Sequence, residues 1–154
     1  MESPIQSIEQ NLWWVIPGKL AGVRQPQASE LEMLKAAGIG AICSVLSDRA
    51  NLDLYQAVAM PHLWLPVRGG MAPSREQVLE FQAFVDEQNT LRRGVAVHCT
   101  GGRHRTGTML AAYLISIGSA YNAAVQTILA ANPEAELETT QKILLRSLAG
   151  DKVS

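Results

Sequence analysis

The chain has 154 residues, of which 47% are hydrophobic and 18% charged, so it is long enough for one compact domain with a sizeable core, spanning residues 1–154. The net charge of −1 argues against a general attraction for nucleic acid or for an anionic membrane, so any anion binding has to be local. The longest apolar run, Met109–Ile115, is too short for membrane insertion, and the first ten residues lack the pattern of a signal peptide, so we expect a cytoplasmic protein.

The first forty residues predict two short strands and a helix. The apolar stretches on either side of Pro17-Gly18 are typical of strands joined by a turn. Ser29 and Glu32 have the spacing of a capping box, so we expect a helix to begin there and to end at Gly38.

The rest of the chain alternates strands with helices. Apolar runs at Ile39–Leu46 and 95–98 predict strands buried on both faces, and Ser74 with Gln77 forms a second capping box, for a helix that ends at Gly94. A short strand is predicted at 62–67, and further helices at 106–117, 120–131 and 137–148. This alternation predicts an α/β fold: a central, mostly parallel sheet flanked by helices, with ligands bound beyond the carboxyl ends of the strands.

The stretch "HCTGGRHRT", residues 98–106, lies at such a strand end and opens into the most apolar of the predicted helices. Two glycines allow a tight curl in which successive backbone N–H groups turn inward, and the helix N-terminus adds partial positive charge on the same side. The guanidinium of Arg105 matches two oxygens of a phosphate or sulfate. The loop is therefore predicted to bind a tetrahedral oxyanion through Thr100, Gly101, Gly102, Arg103, His104 and Arg105.

Cys99 lies at the bottom of this predicted cradle. Groups that bind an anion also stabilise a thiolate, so we expect the pKa of Cys99 to fall from about 8.5 toward the range of roughly 3.5–7.5. A thiolate that faces a bound phosphoryl group can attack phosphorus and form a phosphocysteine, while Arg105 and the loop amides hold the charge on the equatorial oxygens. Thr106 can donate its hydroxyl to the sulfur when water displaces it. This chemistry requires no metal and no cofactor.

"HCTGGRHRTGT" resembles the His-Cys-x5-Arg-Thr signature of the cysteine-dependent protein tyrosine and dual-specificity phosphatase superfamily. "NLWWVIPGKLAG", "FVDE", "TGTMLAAYLI" and "LETTQ" resemble the small atypical dual-specificity phosphatases. The resemblance implies a phosphate loop between strand and helix, and hydrolysis of phosphotyrosine or phosphoserine/threonine through a phosphocysteine. It also implies phosphorylated protein or small phosphorylated substrates, and inhibition by phosphate, sulfate or vanadate. We expect a monomer.

The sequence differs from this family in lacking the usual acidic residue that protonates the leaving group. Phosphatases of this kind usually carry an aspartate in the loop before the helix, but residues 67–74 contain neither Asp nor Glu, and Glu76 and Glu80 follow inside the predicted helix. His104 is a candidate acid, with the alternative that it only bonds the loop backbone or faces solvent. By analogy with the family, Arg68 in this loop is a candidate substrate contact.

Two further interpretations stay open. Arg103 is a cationic residue at the fourth variable position of the loop, which resembles the tensin-related lipid phosphatases. The sequence "RHRTG" resembles the Lys-His-Arg-Thr-Gly of phosphatases that act on inositol pyrophosphates. Inositol phosphates, inositol pyrophosphates or phosphoinositides are therefore the alternative substrates, and a phosphate-binding pseudophosphatase is a remote alternative. Cys43 lies in an apolar strand and is interpreted as a core residue, with a redox partnership with Cys99 as the alternative.

Overall fold

The computed structural model describes residues 7–101 and 103–150, and within them five strands form one sheet. The strands are Trp13–Ile16 (β1), Leu20–Val23 (β2), Ile39–Ser44 (β3), His62–Trp64 (β4) and Gly94–His98 (β5). Their order is β1-β2-β5-β3-β4; β1 is antiparallel to β2, and the other neighbours are parallel. The predicted α/β fold with a mostly parallel sheet is confirmed.

Helices cover both faces of the sheet. The α-helices among the described residues are Ile8–Asn11 (α1), Leu31–Ala36 (α2), Leu52–Ala57 (α3), Arg75–Thr90 (α4), His104–Ser116 (α5), Tyr121–Ala131 (α6) and Thr139–Ala149 (α7). The first three pack on one face, in a cluster with the buried Ile8, Leu34 and Tyr55. The last four pack on the other face, where the larger core cluster lies.

The most enclosed helix is α5. Every residue from 106 to 115 is buried, because α4, α6, α7 and the sheet all pack against this helix. Gly107 permits the close approach: a Cβ there would lie 3.3 Å from side-chain atoms of Ile128 and Ala135. The helix that follows the cysteine loop is thus fixed in the middle of the molecule.

Some predicted element boundaries are wrong. The Ser29–Glu32 capping box is wrong, because residues Ala28–Glu30 form a 3-10 turn and the α-helix begins only at Leu31. Glu30 instead accepts the Gln27 N–H at 2.9 Å and pairs with Arg24 at 2.6 Å. The helix capped by Ser74 and Gln77 is confirmed, but it ends at Thr90 and not at Gly94.

The sequence pattern predicted neither α1 nor α3. The second of these, α3, is six residues long, and Asn51 precedes it at φ +72°, in the left-handed region, so it lacks both the length and the usual start of a recognisable helix. Over residues 7–101 and 103–150, no helix is long and apolar enough to cross a bilayer.

Candidate active site

The cysteine loop begins where β5 ends, at the centre of the carboxyl edge of the sheet. His98, the last residue of β5, pairs in register with Val23 on one side and Ser44 on the other, and its carbonyl accepts the Val45 N–H at 2.9 Å. The chain then passes through Cys99 and enters α5 at His104. Because both neighbouring strands hold His98, the position of the next residue is set by the sheet.

Cys99 is only 4% exposed, yet a hydroxyl reaches its sulfur. The fully buried Thr106, in the first turn of α5, donates from Oγ1 to Cys99 Sγ over 3.2 Å. The predicted contact between these two side chains is therefore present in the structure.

A pocket of about 260 Å³ opens above the cysteine. The described residues that line it are Gly69, Gly70, Cys99, Gly101, Arg103, His104 and Arg105. Five of these were predicted as site residues, and the two glycines come from the loop that lacks the usual aspartate. Gly102, also predicted, lies outside the described residues.

Arg105 ties the cysteine loop to the loop that faces it. Its Nη1 donates to the carbonyl of Val67 at 2.9 Å, and its Nη2 donates to Thr100 Oγ1 at 3.4 Å. These bonds hold the guanidinium at the edge of the pocket, where it can meet an oxyanion. Thr100 itself is exposed.

Arg103 and His104 contact a segment that the sequence did not connect with the site, residues 132–138 between α6 and α7. Arg103 forms an ion pair with Glu134 at 3.7 Å, and both side chains are more than half exposed. His104 Nδ1 is hydrogen-bonded to the backbone carbonyl of Glu136. A carbonyl only accepts, so Nδ1 carries a proton and Nε2 is the ring nitrogen left for proton exchange.

Behind the loop, His98 is fully buried and its Nε2 lies 2.7 Å from the hydroxyl of Tyr55. Burial lowers the pKa of His98 to about 4, and the Cys99 backbone opposes that shift in part. His98 is therefore neutral near pH 7. Burial raises the pKa of Tyr55, whose hydroxyl also accepts a hydrogen bond from Asn51 Nδ2 at 3.0 Å.

Some predicted residues lie away from the pocket. Arg68 is exposed and is not among the described residues that line it. Glu76 and Glu80 are on α4, and neither belongs to that described lining. These three positions keep their predicted roles only as hypotheses.

A carboxylate does lie beside the aspartate-free loop, and sequence reasoning missed it. A Cβ on Gly70, at φ +77°, would lie 3.0 Å from Glu138 Oε2. Thr140 donates its hydroxyl to the Gly70 carbonyl, and Gln141 Nε2 donates to the Met71 carbonyl at 3.2 Å. The three glutamates of "PEAELE" were the available signal, but nothing local shows that this segment packs on the site.

Cys43 has no part in the pocket. It lies within β3, opposite Val97, and is fully buried in the larger core cluster. Burial raises the pKa of its thiol, and no disulfide joins it to Cys99. The interpretation of Cys43 as a core residue is confirmed.

Residues 18–119, more than half of the chain, match the model of a protein family described as Tc-R-P, polymorphic toxin system, DSP-PTPase phosphatase. The chain belongs to this family. The resemblance to small cysteine-dependent dual-specificity and tyrosine phosphatases is thereby confirmed.

Curated relatives carry phosphatase names. The chain is 31% identical to phosphatidylglycerophosphate phosphatase PTPMT2 of Arabidopsis thaliana over 108 residues, which are 67% of this chain and 47% of that protein. It is 27% identical to the tyrosine-protein phosphatase cdcA of Emericella nidulans over 106 residues, 65% of this chain and 18% of that protein. The chain thus spans less than half the length of either relative.

Solved structures agree with the fold. The crystal structure of Tk-PTP in its active form has a TM-score of 0.80 and 27% identity, covering 92% of this chain and 97% of that one. The crystal structure of PTPMT1 has a TM-score of 0.81 over 92% of this chain and 95% of that one, at 17% identity. The placement of the cysteine loop between a central strand and a helix is that of this fold.

Proposed function

We propose that the chain hydrolyses phosphomonoesters through a phosphocysteine formed on Cys99. The observation that carries this proposal is the contact of Cys99 Sγ with the Thr106 hydroxyl at the floor of a pocket that Arg105 and His104 also line. A pocket with a nucleophile, an oxyanion donor and a proton-exchanging group has the parts that two-step phosphoryl transfer needs.

In the first step the thiolate attacks phosphorus in line, so that the S–P bond forms as the bond to the ester oxygen breaks. Arg105 and the loop amides stabilise the equatorial oxygens. His104, protonated on both nitrogens, gives its Nε2 proton to the leaving oxygen and becomes the neutral ring whose Nδ1–H the Glu136 carbonyl already accepts.

In the second step water attacks the phosphocysteine and releases inorganic phosphate. The proton of the attacking water goes to Nε2 of His104, which restores the cation, while the S–P bond breaks and its electron pair returns to sulfur. The hydroxyl of Thr106 stabilises the departing thiolate, since it already donates to Sγ.

Phosphotyrosine and phosphoserine/threonine side chains of proteins are the first substrate class we propose. The family description and the tyrosine-protein phosphatase name of a 27% identical relative support it. A retained nucleophile beside Arg105 and Thr106 favours turnover over binding alone, because a pure binder needs no thiolate.

The second substrate class is a small or lipid-linked phosphate, including inositol phosphates, inositol pyrophosphates and phosphoinositides. The 31% identical relative, named a phosphatidylglycerophosphate phosphatase, is the observation that favours it. For either class we propose a single-domain, monomeric cytoplasmic enzyme that needs no metal and is inhibited by phosphate, sulfate and vanadate.

Hydrolysis of 4-nitrophenyl phosphate tests the proposal. We expect turnover that vanadate inhibits and that EDTA leaves unchanged, with a phosphoenzyme trapped in the wild type and absent from Cys99→Ser. A panel of phosphopeptides, phosphoinositides and inositol polyphosphates then ranks the substrate classes. Turnover that is lost with EDTA, or unchanged in Cys99→Ser, contradicts the phosphocysteine mechanism.

A further inference from the structure

A second cleft, of about 360 Å³, adjoins the catalytic pocket. The two share Gly101 and Arg103, so Arg103 stands between them. The described residues that line the cleft are Gln10, Asn11, Leu12, Trp13, Gly101, Arg103, Ala131, Asn132 and Glu134. A substrate whose phosphate lies over Cys99 can therefore extend into the cleft past a single side chain.

Well-packed elements build the cleft walls. One wall is the junction of α1 and β1, where Trp13 is 8% exposed and packs so closely on Gly22 that a Cβ there would lie 2.3 Å from its ring. In the same wall Asn11 Oδ1 accepts the Arg24 N–H at 2.8 Å. The opposite wall is the end of α6, where Asn132 Oδ1 accepts the Glu134 N–H at 3.0 Å.

The chemistry of the lining is mixed and nearly neutral. Asn132 uses its carbonyl oxygen within the wall, so its NH₂ group is what it offers to a ligand, and Glu134 offers carboxylate oxygens. The charges of Arg103 and Glu134 offset each other as an ion pair at 3.7 Å. The cleft thus presents hydrogen-bond donors and acceptors side by side.

This mixture discriminates among ligands. A second phosphate would have to displace Glu134 from Arg103 and lie beside that carboxylate, which repels it. An acyl chain or an aromatic ring would cover amide and carboxylate groups without giving them partners. A group that bears several hydroxyls fits, because each hydroxyl donates to a carboxylate and accepts from an amide or a guanidinium.

We propose that this cleft binds the hydroxyl-bearing part of a phosphorylated polyol, such as a sugar or cyclitol monophosphate, whose phosphate occupies the Cys99 pocket. The inference rests on the proposed phosphomonoesterase function and selects, within the second substrate class, the small monophosphates that carry several hydroxyls and no second phosphate or acyl chain. Glu134 and Asn132 determine specificity by bonding hydroxyls, and Arg103 borders both the phosphate and the polyol.

The experiment measures binding of three primary-alcohol phosphates to Cys99→Ser protein by calorimetry: ethyl phosphate, glycerol 3-phosphate and glucose 6-phosphate. We expect glucose 6-phosphate to bind about tenfold more tightly than ethyl phosphate, the scale of one or two net hydrogen bonds. Adding Glu134→Ala, an exposed position, removes most of this preference, and Glu134→Gln removes part of it because the amide still bonds hydroxyls.

Glu32→Ala is the matched control. Glu32 forms a comparable exposed ion pair, with Lys35 at 3.6 Å, on α2, which leads into the opposite end of β3 from the pocket. The control keeps the full preference for glucose 6-phosphate, so any loss in Glu134→Ala is local and not an effect of net charge.

Four results separate the possible failures. Equal affinity for ethyl phosphate and glucose 6-phosphate overturns the polyol site and leaves the phosphatase intact. Tighter binding of fructose 1,6-bisphosphate than of fructose 6-phosphate, or of a phosphotyrosine peptide than of every polyol phosphate, also overturns it. No binding of any phosphate ester, together with a wild type inactive on 4-nitrophenyl phosphate, overturns the proposed function instead.

Discussion

The two cysteines, one within β3 and one just beyond the end of the neighbouring β5, have almost the same exposure, 0% for Cys43 and 4% for Cys99, but different surroundings. Cys43 is inside β3, opposite Val97, and burial alone raises the pKa of its thiol. Cys99 lies one residue beyond the end of β5, where the Thr106 hydroxyl reaches its sulfur. The comparison shows that the polar groups at a strand end, and not accessibility, distinguish a candidate nucleophile from a core thiol.

The largest expected effect is on activity, and it comes from replacing each of the two cysteines in turn. Cys99→Ser should lower kcat/KM for 4-nitrophenyl phosphate by about 10⁴-fold or more, because a serine hydroxyl does not ionise in the pocket. Cys43→Ala should stay within about threefold of wild type and lose only about 1 kcal/mol in urea unfolding, the scale of a small cavity. Equal activity losses in the two variants would remove the distinction.

Next in size is the effect of the proton-exchanging group beside Cys99. His104→Ala should cost about 10²–10⁴-fold for alkyl phosphates, whose leaving oxygens need a proton, and little for 4-nitrophenyl phosphate. The measurement is kcat/KM across aryl and alkyl phosphates of graded leaving-group pKa. Glu138→Gln is the companion variant, since its carboxylate lies beside Gly70. A uniform loss across leaving groups in His104→Ala would assign His104 to binding. A loss that grows with leaving-group pKa only in Glu138→Gln would identify Glu138 as the general acid.

The residue before Cys99, His98 at the end of β5, should also give the protein a pH-dependent stability to which Cys43 does not contribute. Unfolded His98 binds a proton near pH 6.5, and folded His98 only near 4. Between these values the unfolded state holds more protons, so the free energy of unfolding falls as the pH falls from about 6.5 to 4, by on the order of 3 kcal/mol.

Urea unfolding at several pH values measures this dependence. We expect it to be retained in Cys43→Ala and to be much weaker in His98→Asn, which removes the titrating ring. A slope over this range that is identical in wild type and His98→Asn would show that other groups cause it.

A smaller effect is expected from Arg105, the oxyanion donor that lies near Cys99 and has no counterpart in the apolar cluster around Cys43. Arg105→Lys keeps the charge but loses the planar fork that bonds Val67 O and Thr100 Oγ1. We expect kcat/KM to fall by roughly 10²-fold, the scale of removing one oxyanion donor. The control is Lys35→Ala, far from the loop, and a loss under threefold in Arg105→Lys would mean that its guanidinium does not meet the phosphate.

The sequence predicted those parts of the site that are local in the chain. Cys99, Thr106 and Arg105 lie within eight residues between a buried strand and a buried helix, so the strand-to-helix turn alone brings them together. The apolar runs of β3 and β5 likewise identified the central strands, because a strand that is buried on both faces has apolar residues at successive positions.

Contacts between distant segments were not predictable in this way. Glu134 and Glu136 meet Arg103 and His104 only because α6 and α7 pack around α5 and present the intervening segment to the cysteine loop. The Ser29–Glu32 error has a similar cause, since Glu30 is recruited by Arg24 from the end of β2. In this case the ion pair between Arg24 and Glu30 determined the start of the helix, and the capping-box spacing of Ser29 and Glu32 did not.

The enclosure of α5 has a consequence for how the pocket adapts to ligands. A helix buried on every side from 106 to 115 cannot shift without disturbing the whole core, so the position of its first turn, with Thr106, is fixed. Adjustment to substrates of different size is therefore expected in residues 67–74, whose Gly70 and Met71 carbonyls accept polar bonds from Thr140 and Gln141 in the first turn of α7. Changes in specificity during divergence can accumulate in this segment while the chemistry below it stays the same.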